Sequence, residues 1–265
     1  MSRKYTVIGI LLVAILVITG IWLWNWVLGD TEAASGPITA VPVVTEAPTT
    51  AAVITEAPNE PDSVITETPN EPVVEETPVV TVLPESGPIV FQISQDDSEA
   101  SFTIYEDLRG QPKDVIGTTD QVAGEIALDK SDLSAAQVGV IQVNARTLVT
   151  DDDRRNQAIR NRILNTDNYE FITFTPTEIS GLEGTAAVGQ EFTFQITGDL
   201  TIRDVTKPVV FDVTAQLVSE DQLTAHAETK IQRSDFNLVI PSVPFVANVG
   251  EEIALEINLV ANLSP

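Results

Sequence analysis

Five arginines lie close together in a chain that is otherwise strongly acidic. The chain has 14 Lys and Arg residues against 39 Asp and Glu residues, and its net charge is −25 at pH 7. The clustered bases within residues 146–162 are Arg146, Arg154, Arg155, Arg160 and Arg162. A guanidinium group binds phosphate or carboxylate through parallel N–H donors in a rigid fork. The cluster therefore indicates a site for an anion such as a phosphate or pyrophosphate.

The same arginines also suit a helix that binds no ligand. In residues 151–164 the aspartates come first, the arginines follow, and Ile159 and Ile163 lie four positions apart. This pattern predicts a short amphipathic helix capped by Thr150 or Asp151. On its solvated face the arginines would pair with nearby carboxylates, which are Asp151, Asp152, Asp153, Asp167 and Glu170. The sequence leaves both interpretations open.

No other group of residues has the spacing of a catalytic site. The chain has no cysteine and one histidine, His226, which excludes a thiol nucleophile and a multi-histidine metal site. His226 alternates with alanines, which places it on the solvent side of a strand without a nucleophile or orienting acid beside it. Asp199 and Asp204 could form a carboxylate pair for acid–base chemistry, but their positions at a strand edge and in a turn explain them better. We predict no catalytic residue, no metal and no cofactor, and the acidic charge argues against nucleic acid as a partner.

The elements that would position any site are β-strands. The clearest segment is residues 190–217, QEFTFQITGDLTIRDVTKPVVFDVTAQL, where apolar and polar residues alternate on either side of a short break at residues 203–208. Period-2 alternation indicates half-buried strands. The break predicts a hairpin with Pro208 at the beginning of its second strand, where a missing N–H does little harm.

At least eight such strands follow one another from Ile89 onward. They predict an all-β fold, an antiparallel eight-stranded barrel, because closing the sheet removes its exposed edges. A two-sheet sandwich is the alternative architecture. We expect the short helix to close one end of the barrel, and residues 236–246 are a second candidate lid.

The interior of the barrel is the second candidate site. An eight-stranded barrel is either filled by its own side chains or holds one small ligand, and the mixture of large and small inward residues leaves both outcomes open. The residues predicted to line the interior are Phe91, Phe102, Ile126, Ile141, Phe174, Phe192, Phe194, Ile196, Leu200, Ile202, Val209, Phe211, Val213 and Phe236.

The N-terminus predicts a membrane anchor. Residues 5–28 contain no charged residue, and this segment is long enough to cross a bilayer as a helix. Three tryptophans cluster near its far end. Arg3 and Lys4 precede it, whereas Asp30 and Glu32 follow it, so the positive-inside rule places everything after residue 30 outside the cytoplasm. We predict a single-pass anchor over residues 1–29 in the cell membrane, with the rest in the periplasm or at the cell surface. A cleaved signal peptide is the alternative and gives the same location.

Residues 30–88 have a different composition. Pro, Thr, Val, Ala and Glu dominate, no base is present, and the units TEAPNEP and TETPNEP recur eleven residues apart. These units offer no face to bury, and each proline removes a backbone donor. We predict a disordered linker with polyproline-II character, followed by a β-barrel domain over residues 89–265.

Several motifs of this domain, taken in order, resemble the YceI-like family. They are VAGEIALD at residues 122–129, NARTLVTD at 144–151, YEFITF at 169–174, GDLTIRDVTKP at 198–208 and RSDF at 233–236. Members often carry histidine before the VTKP turn, where this chain has Arg203 and Asp204, and many have Arg-Asp where this chain has Arg155 and Asn156. These departures bear on ligand choice if the positions contact a headgroup.

The resemblance implies an elongated, lipocalin-like antiparallel barrel whose apolar cavity takes a polyisoprenoid chain. We therefore expect an exported, non-catalytic domain that binds an isoprenoid-type lipid, with Arg146, Arg155 and Arg160 as candidates for an anionic headgroup. A homodimer is left open. Two other classes also remain, a structural or interaction module with a filled core and, with less support, an enzyme that acts on an isoprenoid or quinone precursor.

Overall fold

The computed structural model describes residue 18, residues 31–43 and residues 88–264. In the last of these ranges the chain forms thirteen strand segments and one short α-helix, α1, at Asp153–Ala158. The strands are β1 (Ile89–Ile93), β2 (Glu99–Leu108), β3 (Gln111–Thr119), β4 (Val122–Ala123), β5 (Glu125–Leu128), β6 (Gln137–Val138), β7 (Ile141–Asn144), β8 (Phe171–Ser180), β9 (Glu191–Ile202), β10 (Val205–Ser219), β11 (Gln222–Gln232), β12 (Val246–Ala247) and β13 (Glu252–Leu263). The all-β prediction is confirmed, but the strand count differs from the predicted eight.

All thirteen segments belong to one antiparallel sheet that is strongly curled. The main strand order is β4-β7-β8-β9-β10-β11-β13-β1-β5-β6, and β13 also pairs with β2, which pairs with β3 and β12. Strands β4 and β5 lie toward opposite ends of this order, yet Gly124 alone separates them in the chain. The sheet must therefore bend until its two ends approach each other, which leaves one concave face inside and one face in water.

The long hairpin is formed by β9 and β10, and its turn is tighter than the sequence predicted. Only Arg203 and Asp204 separate the strands, and Arg203 adopts a left-handed backbone with φ of 59°. Val205 pairs with Ile202, so Pro208 lies inside β10, opposite Asp199, instead of at the beginning of the strand. The pairs between β10 and β11 begin only at Asp212, so Pro208 is paired with β9 alone. Its missing N–H therefore breaks no ladder with β11.

The predicted helix is present but begins later than expected. Its N-cap is Asp152, whose side chain accepts a hydrogen bond from the N–H of Arg155 at 2.9 Å. The expected caps have other roles, since the N–H and hydroxyl of Thr150 donate to the buried side chain of Asn156, each at 2.7 Å. A π-helical turn at Ile159–Ile163 extends α1. Ile159 is buried in the core, so the apolar positions face the sheet as predicted.

Residues 31–43 lie against the outside of the β domain, and we call them the N-terminal strap. Ser35 donates from its N–H and its hydroxyl to the carboxylate of Glu170, at 2.8 Å and 2.9 Å. Farther along the strap, the N–H of Val43 donates to Glu125 at 2.9 Å. Ala40, which lies between Ser35 and Val43 in the chain, is buried. This part of the predicted linker is therefore in contact with the domain.

Two sequence predictions fall mainly on residues that the structure does not describe. The predicted membrane segment at residues 5–28, apart from residue 18, and residues 44–87 of the predicted linker lie outside the described ranges. Among the described residues, no helix combines the length and the apolar character that crossing a membrane demands.

Candidate functional site

The concave face of the sheet encloses an apolar cavity of about 680 Å³, which we call the larger chamber. It lies at the end of the domain that carries α1, and Ile159, Ile163 and Leu164 from the helical segment contribute to its wall. Most of residues 238–246, which belong to the candidate lid predicted at residues 236–246, line it from another side. Within this segment Val243 and Phe245 are partly open to solvent, and Phe245 is 73% exposed. The larger chamber therefore has a mainly apolar wall and a boundary that reaches the surface.

A second apolar cavity, the smaller chamber, lies toward the other end of the sheet and has a volume of about 110 Å³. Aromatic and aliphatic side chains line it almost entirely, and among the described residues Gln216 is the one polar residue in its wall. Phe192, Phe194 and Ile196 line it from β9, and Val213 lines it from β10. Such a space offers few polar partners for water and suits an apolar group.

The two chambers share one layer of residues, which we call the belt. Its members each come from a different strand and line both cavities; they are Ile141 on β7, Phe174 on β8, Phe211 on β10 and Ile257 on β13. The Phe174 and Phe211 rings meet edge to face, with ring centroids 4.9 Å apart and an interplanar angle of 68°. The two chambers therefore lie end to end, with this aromatic pair between them.

Glycines make room for three of the side chains that line the chambers. A Cβ at Gly117 would lie 2.3 Å from the ring of Phe102, and one at Gly124 would lie 2.5 Å from Ile141. A Cβ at Gly198 would lie 2.5 Å from Phe174 and 2.6 Å from the carbonyl oxygen of Thr175. In each case, a side chain from a neighbouring strand occupies the space above the glycine. The shape of the interior thus depends on glycines that the sequence alone did not connect with any lining residue.

Charged side chains line the larger chamber where it meets α1. The guanidinium of Arg155 lies 2.8 Å from the carboxylate of Glu106, and these side chains are 18% and 8% exposed. Arg155 also pairs with Asp151, which in turn pairs with Lys113. The hydrogen bond from Lys113, together with Arg155, holds the pKa of the Asp151 carboxyl below its usual value, although burial opposes the shift. The positive charge of Arg155 is therefore already compensated by two carboxylates.

Two other arginines line the larger chamber with their charges uncompensated. Arg109 and Arg154 are both exposed, and no carboxylate in the described part of the chain forms an ion pair with either of them. Arg109 precedes Gly110 in the turn between β2 and β3, and its backbone φ is 55°. This arrangement leaves two exposed guanidinium groups among the residues that line the chamber.

Eleven of the fourteen predicted lining residues line a chamber. Phe102, Leu200 and Ile202 line the larger one, and Ile126, Phe192, Phe194, Ile196 and Val213 line the smaller one, whereas Ile141, Phe174 and Phe211 line both. The other three pack elsewhere. Phe91 and Phe236 are buried in the core, and Val209 packs against the core near the β9–β10 turn.

The three predicted headgroup arginines have different surroundings. Arg155 alone lines the larger chamber. Arg146 pairs with Glu170, donates to the carbonyl oxygen of Thr166 at 2.9 Å, and pairs with Glu32 of the strap. Arg160 is half-buried and lines neither chamber. The arginine cluster seen in the sequence is therefore divided between the chamber wall and the strap contact.

Sequence reasoning missed Glu106 and Arg109 in the wall of the larger chamber, and it included Phe245 only as part of the candidate lid. A signal for Glu106 was present, because it continues the inward positions of β2 after Ala100, Phe102 and Ile104. A charge at such a position is unusual, and it is expected to have a buried partner. Arg109 and Phe245 lie in a turn and an irregular segment, where strand alternation gives no information.

A curled antiparallel sheet around an elongated apolar interior defines the lipocalin-like class of fold. The sequence model of the YceI-like domain matches residues 91–261, and the chain belongs to the YceI-like family. Protein YceI from Shigella flexneri and protein YceI from Escherichia coli O157:H7 are each 30% identical to it over 148 residues, which is 53% of this chain and 72% of the relative.

Two solved structures share the fold. One is a polyisoprenoid-binding domain from Saccharophagus degradans implicated in plant cell wall breakdown, with 13% identity and a TM-score of 0.52, covering 66% of this chain and 99% of that one. The other is BcnA from Burkholderia cenocepacia, with 19% identity and a TM-score of 0.50, covering 64% and 99%.

Proposed function

We propose that the β domain binds a long isoprenoid-type lipid in its interior and performs no catalysis on it. The observation that carries this proposal is the pair of apolar chambers, about 680 Å³ and 110 Å³, which lie end to end inside the curled sheet. The larger one is within the usual size range of ligand pockets, roughly 300–1,000 Å³. An elongated apolar space suits a chain-like ligand better than a compact one.

Binding would be driven by removal of the chain from water. Each buried CH₂ group contributes about 0.8 kcal/mol, so a chain of many carbons is held without specific polar contacts. The side chains that line the chambers are mainly aliphatic and aromatic, which fits this mode of binding. Membership of the YceI-like family and the fold shared with a polyisoprenoid-binding domain support the same ligand class.

A charged headgroup would lie where the larger chamber meets the surface. Arg109 and Arg154 are exposed there without carboxylate partners in the described residues, whereas Arg155 is paired with Glu106 and Asp151. We therefore assign the main headgroup contacts to Arg109 and Arg154, with Arg155 in a supporting role. Arg109→Gln combined with Arg154→Gln should weaken a prenyl pyrophosphate by about tenfold or more and leave the matching prenyl alcohol unchanged. Equal losses for both ligands would exclude this headgroup site.

The location of the domain is part of the proposal. The uncharged residues 5–28, the preceding Arg3 and Lys4, and the following acids support an anchor with the β domain on the outer side of the cell membrane. A lipid-binding domain tethered there would exchange its ligand with the membrane or with other envelope proteins.

Native mass spectrometry of the full chain, purified from its host membrane and then extracted with organic solvent, tests the function. We expect a stoichiometric adduct that extracts as a prenyl species. Val143→Phe, which adds a ring to the larger chamber, should lose the adduct, whereas Val210→Phe adds the same ring at an exposed position of β10 and should retain it. A wild-type protein that stays free of lipid after incubation with prenyl alcohols and pyrophosphates would refute the proposal.

A further inference from the structure

The belt is the layer of the interior whose residues line both chambers. Phe174 and Phe211 are 8% and 5% exposed, and Ile141 is equally well buried. At the level of the belt, β9 contributes Gly198, and the ring of Phe174 occupies the space where its side chain would be. The belt is therefore filled from one side by an aromatic ring that leans across a glycine.

The strands show that the belt is a true cross-section of the interior. On β9, residues up to Ile196 line the smaller chamber and residues from Leu200 line the larger one. On β13 the same change occurs at Ile257, with Leu255 on one side and Leu259 on the other. All four belt residues thus lie at the level where each strand passes from one chamber to the other.

We propose that the Phe174–Phe211 pair sets the length of the chain that the domain holds. This inference rests on the proposed lipid-binding function and adds a specificity determinant to it. The ligand chain fills the larger chamber from the surface boundary and ends at the two rings. The smaller chamber, close in size to an apolar cavity of about 150 Å³ that accepts benzene, lies beyond them and has room for about one further chain segment.

The physical basis is the size of the rings. Interiors of proteins are close-packed, and a chain cannot pass between two rings whose centroids are 4.9 Å apart unless one of them moves. Replacing either ring with a small side chain joins the two chambers into one longer cavity. A chain that was too long for the larger chamber then gains the burial of its last carbons in the smaller one.

Equilibrium binding of a series of all-trans prenols that grows by one isoprene unit at a time tests the inference. The wild-type full chain is compared with the variants Phe174→Ala and Phe211→Ala. If the alanine variants do not fold, Phe174→Leu and Phe211→Leu replace them. We expect the best-bound prenol to become longer by at least one unit, with the affinity ratio of long to short prenols rising by about tenfold or more. Phe102→Ala is the matched control, because it removes a ring that lines only the larger chamber.

The possible results separate this inference from the function on which it rests. If wild type binds prenols and the belt variants keep the same preferred length, the inference is wrong while lipid binding stands. The inference would also be refuted if Phe102→Ala preferred a chain as long as the one that the belt variants prefer. Loss of any ring in the interior would then be enough to lengthen the preferred chain. Failure of wild type to bind any prenol refutes both proposals.

Discussion

Arg155 donates to Glu106 across 2.8 Å, and the two residues lie forty-nine positions apart in the chain. Glu106 comes from β2, and Arg155 comes from α1, so the ion pair fixes the helix to the sheet at the wall of the larger chamber. Because the carboxylate is 8% exposed, its charge depends on Arg155 for compensation. This pair is therefore a structural contact as well as part of the chamber.

Removal of Arg155 should destabilise the domain. Arg155→Ala leaves Glu106 buried without its partner, and breaking a buried ion pair on one side costs about 3 kcal/mol in free energy of unfolding. The double variant Arg155→Met with Glu106→Leu replaces both charges with apolar groups and should recover most of this loss. Urea denaturation measures both changes. A double variant as unstable as Arg155→Ala would show that the unpaired charge of Glu106 is not responsible for the loss.

Truncation of Phe91 should mainly lower stability, whereas truncation of Phe102 should mainly lower lipid affinity. Phe91 is fully buried and lines neither chamber, so Phe91→Ala is expected to cost about 3–5 kcal/mol in free energy of unfolding and to leave the lipid affinity of the folded protein unchanged. Phe102 is half-buried and lines the larger chamber, so Phe102→Ala should cost less stability and weaken lipid binding. Thermal unfolding and prenol titration together check the contrast, and a weaker affinity in Phe91→Ala would contradict it.

Gly117 and Phe102 should be strongly coupled. A Cβ at Gly117 would meet only the ring of Phe102 within 3.1 Å, so Gly117→Ala is expected to destabilise wild type by about 1–3 kcal/mol and to cost much less in a Phe102→Ala background. Gly198 provides the comparison, because its Cβ would meet the backbone oxygen of Thr175 as well as Phe174. Gly198→Ala should therefore remain destabilising in Phe174→Ala. Additive effects at Gly117 and Phe102 would rule out the contact.

Docking of the N-terminal strap should depend on pH through Glu170. Burial acts to raise the pKa of this carboxyl, but hydrogen bonds from the N–H and hydroxyl of Ser35 and from Asn144, with the charge of Arg146, outweigh it and lower the pKa. The hydrogen bonds from Ser35 form only in the docked state and favour the ionised carboxylate, so ionised Glu170 stabilises docking. This contribution is lost as the pH falls through the depressed pKa.

Hydrogen exchange of residues 31–43 measures this effect, with protection factors corrected for the intrinsic dependence of exchange on pH. We expect protection at about pH 6 that decreases as the pH is lowered through the depressed pKa of Glu170. Glu170→Gln removes the titrating group and should make the strap poorly protected throughout this range. Protection that persists in Glu170→Gln would mean that Asp167, Glu125 and the burial of Ala40 hold the strap without Glu170.

The sequence predicted the inward face of the long strands well. On β9 and β10, alternation alone assigned Phe192, Leu200 and Phe211 to the interior, because the side-chain period of a strand reports which face is buried. It could not assign the belt, since which inward residues meet across the interior depends on strand register and on the curl of the sheet. The contact between Phe174 and Gly198 is an example.

In the arginine cluster, the sequence likewise predicted contacts between residues close in the chain but not contacts between residues far apart in it. The pairing of Arg155 with Asp151, four residues earlier, was among the predicted local contacts. Its pairing with Glu106 was not, because helical spacing says nothing about a strand far away in the chain. The predicted helix cap, Thr150 or Asp151, was one or two residues too early for a related reason, since Thr150 donates to the buried side chain of Asn156, a later residue of the same helix.

The docked strap changes what the acidic repeats can do as a spacer. Val43 is bound to Glu125, and Ile89 pairs with Leu128 on the same strand, so the chain between residues 43 and 89 begins and ends at one strand of the domain. The length of the segment between residues 43 and 89 therefore does not increase the distance between residue 31 and the β domain. With the anchor that we propose, the domain would be held at the bilayer surface, within reach of lipid headgroups. Release of the strap would free residues 31–43 from the domain, so the distance of the domain from the membrane would depend on strap docking.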